Sequence, residues 1–160
     1  MRFIKELKRD EFENIISLFT DDFYFFTTNP DIVFYEELNS FLMLNGKTYK
    51  ILDRDFQVIG LAFIKEFNLK YILYKFKIIK SDLNQSVGRL AFKEFLIFLF
   101  KKYKNIQRIE TVVYGFDKYE LDFYNQLGIN EEIIKKKDIF KEGVFWDSYI
   151  FNLAKNKKII

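Results

Sequence analysis

The stretch Lys77–Ala91, KIIKSDLNQSVGRLA, decides the fold, because a strand pattern gives way there to a helix pattern. Lys70–Lys80 is rich in Tyr, Ile and Phe and predicts a strand, and the polar run Ser81–Gln85 predicts a loop. Ser86–Tyr103 has no breaker after Gly88 and predicts a helix. A helix start exposes unpaired N–H groups at the positive end of its dipole, and glycine lets a ligand approach the backbone. The stretch suits phosphate or pyrophosphate binding, although a plain connection would show the same pattern.

Strand and helix patterns alternate outward from this stretch along the whole chain. The other predicted elements are a strand Arg2–Leu7, helices Asp10–Phe19 and Asn29–Leu44, strands Tyr49–Leu52 and Phe56–Ile64, a strand Arg108–Tyr114, a helix Asp117–Leu127 ending at Gly128, and strands Glu131–Phe140 and Val144–Leu153. This order predicts a single α/β domain over residues 1–160. Its central mixed, mostly antiparallel sheet has about seven strands, flanked by about four helices.

Composition excludes several classes of protein. In 160 residues, the 20% aromatic content and the mixed-sign charges argue against long disorder. The absence of Cys and His removes disulfides, the usual zinc ligands, and thiol or imidazole catalysts, so we expect no metal site. The net charge is only +3, and Lys far outnumbers Arg among the 26 basic residues, so nucleic acid is not an expected partner.

Membrane and targeting signals are not apparent. The apolar run Phe95–Phe100 is far short of the roughly 20 residues that a transmembrane helix needs. The first residues lack an apolar core followed by a small-residue cleavage site. We therefore expect a cytoplasmic protein with no membrane partner.

Two motifs carry a resemblance to a known family. The segment Gln85–Leu90 resembles the Gln/Arg-x-x-Gly-x-Gly/Ala signature of the GNAT superfamily of N-acetyltransferases. Downstream, Phe123–Ile129 is similar to that family's Leu-Tyr-x-x-x-Gly-Phe ending of the helix after the fifth strand. The closing strand pair and the element order also fit, so the resemblance covers nearly the whole chain and implies a GNAT-like fold.

The resemblance implies acetyl-coenzyme A as co-substrate, without a metal. The backbone of Ser86–Ala91 would bind the pyrophosphate. The pantetheine arm would follow the exposed edge of the fourth strand, which the family splays away from the fifth. The cofactor-binding residues implied in this way are Ile78, Ile79, Gln85, Ser86, Val87, Gly88, Arg89, Leu90, Ala91 and Asp117.

Tyr124 matches the family's tyrosine, which is placed to protonate the departing coenzyme A thiolate. A phenol with a pKa of about 10 can donate to that thiolate. The alternative is an amphipathic tyrosine that packs its ring at a helix end. Many relatives carry a carboxylate base on the fourth strand, but Lys70–Lys80 contains none. The nearest acids are Glu66, Asp82 and Glu110; each also reads as a solvated surface acid, and an ordered water chain is an equal alternative.

The implied reaction is direct attack of an amine on the acetyl thioester in a ternary complex. The acceptor is a primary amine of a small molecule (an amino sugar, polyamine or amino acid) or a protein N-terminus. The resemblance puts its pocket at Asp21–Thr28 and Lys141–Phe145, although core packing is the favoured interpretation of the aromatics in the first segment. A homodimer is left open.

Three positions depart from the family pattern. Leu90 stands where the family prefers Gly or Ala, Asp117 where many relatives carry Asn, and Ile129 where Phe is expected. If the Leu90 side chain points at the cofactor, binding suffers; if it points into the core, nothing is lost. These departures support a rival hypothesis, a catalytically silent GNAT-like domain that binds a ligand or a protein.

Overall fold

The computed structural model describes residues 3–15, 46–68, 70–79 and 85–155. The strands are β1 Phe3–Glu6, β2 Lys47–Leu52, β3 Val58–Asn68, β4 Tyr71–Ile78, β5 Arg108–Tyr114, β6 Ile133–Lys141 and β7 Val144–Ala154. The α-helices in these ranges are α1 Ser86–Lys102 and α2 Lys118–Gln126. A short 3-10 helix, Arg9–Glu11, leads into helical residues 12–15.

The seven strands form one sheet in the order β1-β2-β3-β4-β5-β7-β6. Every neighbouring pair is antiparallel except β4 and β5, which are parallel because α1 connects them as a crossover. The predicted mixed, mostly antiparallel sheet is confirmed. The described residues hold fewer helices than the four predicted: the end of the Asp10–Phe19 helix and the whole Asn29–Leu44 helix lie outside them.

The parallel pairing of β4 and β5 covers only a short stretch. The register runs from Tyr71 opposite Arg108 to Leu73 opposite Glu110, and the strands do not pair beyond it. β5 nevertheless stays paired with β7 up to Tyr114, so the two central strands separate while both remain in the sheet. We call the space between Tyr74–Ile78 of β4 and Thr111–Tyr114 of β5 the β4–β5 gap.

Helix α1 covers the sheet with one apolar face. Its buried side chains Phe92, Phe95, Leu96 and Leu99 recur at helical spacing, and Phe92 meets Phe76 of β4 edge-on with ring centroids 5.1 Å apart. The opposite face of α1 carries Ile97, which is 53% exposed. No helix in the described ranges is long and apolar enough to cross a membrane.

Helix α2 ends as its sequence predicts. Gly128 adopts a φ of 68°, which a glycine tolerates without strain, and its N–H donates to Asn125 O at 3.0 Å. The Asp117 carboxylate caps the other end by accepting the Glu120 N–H at 3.1 Å. Both ends of α2 are thereby fixed, and its inward face is held over the β4–β5 gap.

Candidate active site

The N-terminus of α1 is open to an anion. Gln85 is the N-cap residue, with extended backbone, and its side chain makes no capping hydrogen bond. The first turn contains no acidic side chain, so no carboxylate of the helix offsets the positive end of its dipole. The exposed Arg89 donates to Gln126 Oε1 at 2.9 Å, which holds its guanidinium beside the end of α2. The first-turn N–H groups, which no helix pairs internally, and the Arg89 cation thus lie at the same helix start.

The side chains of the Gln85–Ala91 segment divide between core and surface. Gly88 and Ala91 are buried, Val87 is half-buried, and Gln85, Ser86 and Arg89 are exposed. Leu90 is 42% exposed and does not point into the core. The Leu90 side chain therefore does not adopt the core-facing orientation, which is the one expected to leave cofactor binding unaffected.

The β4 edge residues predicted for the pantetheine arm remain tied to β3. Ile78 is fully buried and lies opposite Gly60, and the Ile79 N–H donates to Ile59 O at 3.0 Å. Ladder pairing to β5 has already ended at Leu73. The outer part of β4 thus keeps one paired edge, and its other edge faces the gap.

A buried ion cluster lies in the gap. Lys77 Nζ of β4 lies 3.3 Å from Asp117 Oδ2 and 2.5 Å from Glu120 Oε2 of α2. All three side chains are at most 3% exposed. Burial opposes ionisation of Asp117, but the Lys77 ammonium and the Glu120 N–H outweigh it and lower the pKa of Asp117. Burial raises the pKa of Glu120 above its usual value, against the opposing effect of Lys77.

Glu120 keeps one oxygen unused. Its Oε1 is buried and has no hydrogen-bond partner among the described residues. An unpaired buried oxygen costs free energy, and native structures usually supply a partner for it. The gap therefore presents an acceptor that a hydrogen-bond donor of a ligand could satisfy.

A second lysine of β4 bridges the gap. The Lys75 Nζ donates to the Val112 carbonyl oxygen of β5 and lies 5.3 Å from the centroid of the Tyr114 ring. Its side chain is half-buried, and burial lowers the pKa of its amine. A lysine side chain thus spans the strands where their backbone pairing has stopped.

Tyr124 lies at the inner side of the gap. It is fully buried, its ring stacks on Phe151 with centroids 4.6 Å apart, and its hydroxyl donates to Tyr74 Oη at 3.1 Å. Burial raises the pKa of Tyr124 well above its ordinary value, so the phenol stays protonated at neutral pH. The structure shows that Tyr124 packs in the core, and its proton-donor role stays a prediction.

Glu110 is not the solvated surface acid that the sequence suggests. It is 9% exposed, because it occupies the last paired position of β5 before the gap, opposite Leu73. Its carboxylate accepts from Arg108 Nη2 at 3.0 Å. Burial, together with neighbouring Glu110, raises the pKa of Tyr71 to about 12. Glu110 and Tyr71 line a cavity of about 820 Å³.

The remaining predicted positions are only partly described. Asp21–Thr28, Asp82 and the Glu66 side chain lie outside the described part of the structure. Lys141–Phe145 forms the β6–β7 turn, where Phe140 and Phe145 are mostly exposed with ring centroids 5.0 Å apart. No group of His, Cys, Asp or Glu in the described ranges could hold a metal ion.

Sequence reasoning missed Lys75, Lys77 and Glu120. Lysines on an alternating strand ordinarily face solvent, and the carboxylate partner of Lys77 is 43 residues away along the chain. The available signal was the pair of lysines inside an otherwise apolar strand, together with the i, i+4 spacing of Glu120 and Tyr124, which puts both on one face of α2.

Comparisons with known proteins identify the fold. No family model matches the sequence, and no curated protein matches it either. Among solved structures, a GNAT-family acetyltransferase from Bacillus anthracis is similar with a TM-score of 0.75 at 20% identity, over 96% of this chain and 94% of that one.

Two further similar structures come from Vibrio. Mutant forms of the spermidine/spermine N-acetyltransferase SpeG from Vibrio cholerae give a TM-score of 0.73 at 17% identity, over 98% of this chain and 95% of that one. The ribosomal-protein-S5-alanine acetyltransferase from Vibrio fischeri gives 0.72 at 14% identity, over 98% and 94%. Identities this low establish architecture rather than activity. The chain has the fold of the GNAT superfamily of N-acetyltransferases.

Proposed function

We propose that this chain is an N-acetyltransferase that transfers an acetyl group from acetyl-coenzyme A to a primary amine by direct attack in a ternary complex. The observation that carries the proposal is the β4–β5 gap, which opens beside the uncapped N-terminus of α1. The similar structures include acetyltransferases named for spermidine and for a ribosomal protein, which supports an amine acceptor. A small-molecule amine or a protein N-terminus remains the acceptor class.

The residues around the gap suit coenzyme A. The helix start and Arg89 match its pyrophosphate. From Ile78 to Tyr74, the free edge of β4 runs for roughly 13 Å at about 3.3 Å per residue, and the amide groups of an extended arm can pair with a strand edge. The unpaired Glu120 Oε1 offers an acceptor for such an amide N–H. These features support a cofactor lying along β4 with its thioester toward the inner end.

Tyr124 and Glu110 are our candidates for proton transfer. Tyr124 is protonated and adjoins the gap, so it would give its proton to the departing thiolate. Of the three acids that the sequence analysis considered, Glu110 is the one whose side chain the structure describes. It lies at the last paired position before the gap. We assign it the role of taking the proton of the acceptor amine, directly or through water.

In this proposal Asp117 mainly stabilises helix α2 and contributes less to cofactor binding. One of its oxygens accepts the Glu120 N–H and the other faces Lys77 Nζ. An asparagine could cap the helix equally well, but it would not supply the negative charge that balances the buried lysine. The departure from the family's Asn is therefore explained by Lys77.

One observation favours the rival hypothesis of a silent domain. The chain's own side chains occupy the gap: Lys77, Glu120 and Tyr124 are buried there, and Lys75 bridges to Val112 O. A silent domain of this kind would keep its gap closed or bind coenzyme A without turnover. Binding and turnover must therefore be measured separately.

The test begins with thermal melts in the presence of acetyl-coenzyme A or coenzyme A. Ligand at about 100 times its Kd adds roughly 2.7 kcal/mol, and each kcal/mol raises Tm by about 2–4 °C in a chain of this size. A screen with spermidine, amino sugars, amino acids and N-terminal peptides then tests turnover. A shift without turnover on any amine would favour the silent domain, and no shift at millimolar ligand would contradict the cofactor site itself.

Two variants of Ser86 sharpen the binding test. This residue is exposed in the first turn of α1, where an aspartate interacts favourably with the helix dipole but repels a pyrophosphate. We expect Ser86→Asp to melt no lower than the unaltered chain without ligand and to lose the coenzyme A shift. Ser86→Asn is the uncharged control and should retain the shift. Equal shifts in both variants would contradict a pyrophosphate site at this helix start.

A further inference from the structure

Lys75 occupies the inner end of the β4–β5 gap. It lies two residues beyond Leu73, the last residue of β4 that pairs with β5, and Val112 lies two residues beyond the matching Glu110. The bond from Lys75 Nζ to Val112 O therefore joins the strands just past the point where their backbones separate. The amine is held inside the gap rather than projecting into open solvent.

The surroundings of Lys75 favour an amine that can react as a nucleophile. Burial, reinforced by the nearby Lys77 charge, lowers its pKa, while Glu120 and Asp117 oppose the change. The Tyr114 ring lies on one side, with its centroid 5.3 Å from Nζ. Lys77 differs, because Asp117 and Glu120 hold its ammonium directly. Lys75 Nζ instead donates to a neutral carbonyl oxygen, that of Val112, and is the candidate nucleophile of the two lysines.

The remaining requirement is a thioester nearby, and this step rests on the proposed function. An arm that starts at the α1 N-terminus and follows β4 inward from Ile78 passes Lys75 after about 10 Å, at about 3.3 Å per residue. The arm and the Lys75 side chain then share the gap, and the arm takes the space in which Nζ reaches Val112. We propose that Lys75 is an internal acceptor, acetylated on Nζ by acetyl-coenzyme A bound in the β4–β5 gap of the same chain.

The step balances without any further reactant. The neutral Lys75 Nζ attacks the thioester carbonyl carbon, so that a C–N bond forms while the C–S bond breaks. Coenzyme A leaves as the thiolate and takes up the proton that the nitrogen loses. The products are one Nε-acetyl-lysine per chain and free coenzyme A. Since an amide is stable in water, the reaction modifies each chain once and then stops.

The experiment follows the acetyl label residue by residue. The full chain is incubated with isotopically labelled acetyl-coenzyme A without an added amine, and the labelled lysines are mapped by peptide mass spectrometry over time. We expect Lys75 to be labelled at least about tenfold faster than the exposed Lys93 of α1, because the thioester and the amine share one site. The first-order rate constant for labelling of Lys75 should not depend on protein concentration. Lys75→Arg should remove the label at position 75 and leave the labelling of the other lysines unchanged.

A second measurement needs no acetyl transfer by the protein. Desulfo-coenzyme A, which has neither an acetyl group nor a thiol that acetic anhydride could acetylate, should protect Lys75 from that small reagent and leave Lys93 unprotected. If Lys75 is labelled no faster than Lys93 and is not protected, the inference fails; a coenzyme A melting shift and turnover on an added amine would still leave the proposed function standing. If coenzyme A causes no shift and Lys75 gains no label, both fail together.

Discussion

Replacing Lys77 by Met should destabilise the chain by about 3–5 kcal/mol at neutral pH. The substitution keeps most of the side-chain volume but removes the cation that lies 3.3 Å from Asp117 and 2.5 Å from Glu120. Two carboxyl groups, each at most 3% exposed, are then left without a counter-charge. At about 2–4 °C per kcal/mol, the loss corresponds to a fall in Tm of roughly 6–20 °C.

The pH dependence of that loss follows from Glu120. Its pKa in the folded chain is raised above the unfolded value, so the protonated form favours folding, and stability falls as pH rises between the two pKa values. Without Lys77 the folded pKa of Glu120 rises further, and the window over which stability falls extends upward. The deficit of Lys77→Met should therefore be smaller at about pH 5 than at about pH 8.

Denaturant unfolding at several pH values measures these effects. Lys93→Met, an exposed change on α1, is the matched control and should stay within about 0.5 kcal/mol of the unaltered chain. Adding Glu120→Gln to Lys77→Met should recover part of the loss and flatten its pH dependence, which a double-mutant cycle quantifies. A Lys77→Met deficit that matches Lys93→Met, or one that is the same at both pH values, would refute the ion cluster.

Three further substitutions test the site and its support. Tyr124→Phe should lower turnover by about 10²–10⁴-fold if its hydroxyl protonates the thiolate, while the lost bond to Tyr74 costs about 1 kcal/mol; unchanged turnover across the accessible pH range would exclude the role. Glu110→Gln should lower turnover by about 10²–10⁴-fold but keep the coenzyme A melting shift, and full activity on the best amine would exclude Glu110 as the base. Phe92→Ala should cost about 3–5 kcal/mol in denaturant unfolding because the ring packs against Phe76 and Tyr124, and a loss below about 1 kcal/mol would contradict that packing.

The sequence predicted the parts of the fold that depend on local patterns. Strand periodicity, the uninterrupted helix after Gly88 and the glycine after α2 each fix an element with residues that are close together in the chain. The resemblance added the separation of the two central strands, which the register now documents. The contents of the gap were beyond such reasoning, because Lys77 meets carboxylates on α2 only after the β4–α1–β5 crossover has formed.

Glu110 and Leu90 show the same limit at single positions. A glutamate in a strand reads as exposed, yet Glu110 is buried because its strand lies between β4 and β7 at the last paired position. The sequence left two orientations open for Leu90, and the packing of α1 puts Gly88 and Ala91 at the inward positions, which turns Leu90 outward. In both cases burial is set by the neighbouring element, which the sequence around the residue does not encode.

The charged side chains in the gap are better evidence for a functional site than for a contact that stabilises the fold. Replacing buried ion groups by well-packed apolar side chains is often neutral or stabilising, so Lys77, Asp117 and Glu120 are a poor choice if the gap serves only to hold α2 on β4. Titratable groups with shifted pKa values tend to cluster where a protein handles polar ligands or protons. Here the shifted groups Lys75, Glu120 and Tyr124 face one gap, and one Glu120 oxygen still lacks a partner among the described residues. The composition of the gap therefore supports the proposal of an amide-bearing ligand there, and the turnover measurements decide between an enzyme and a silent domain.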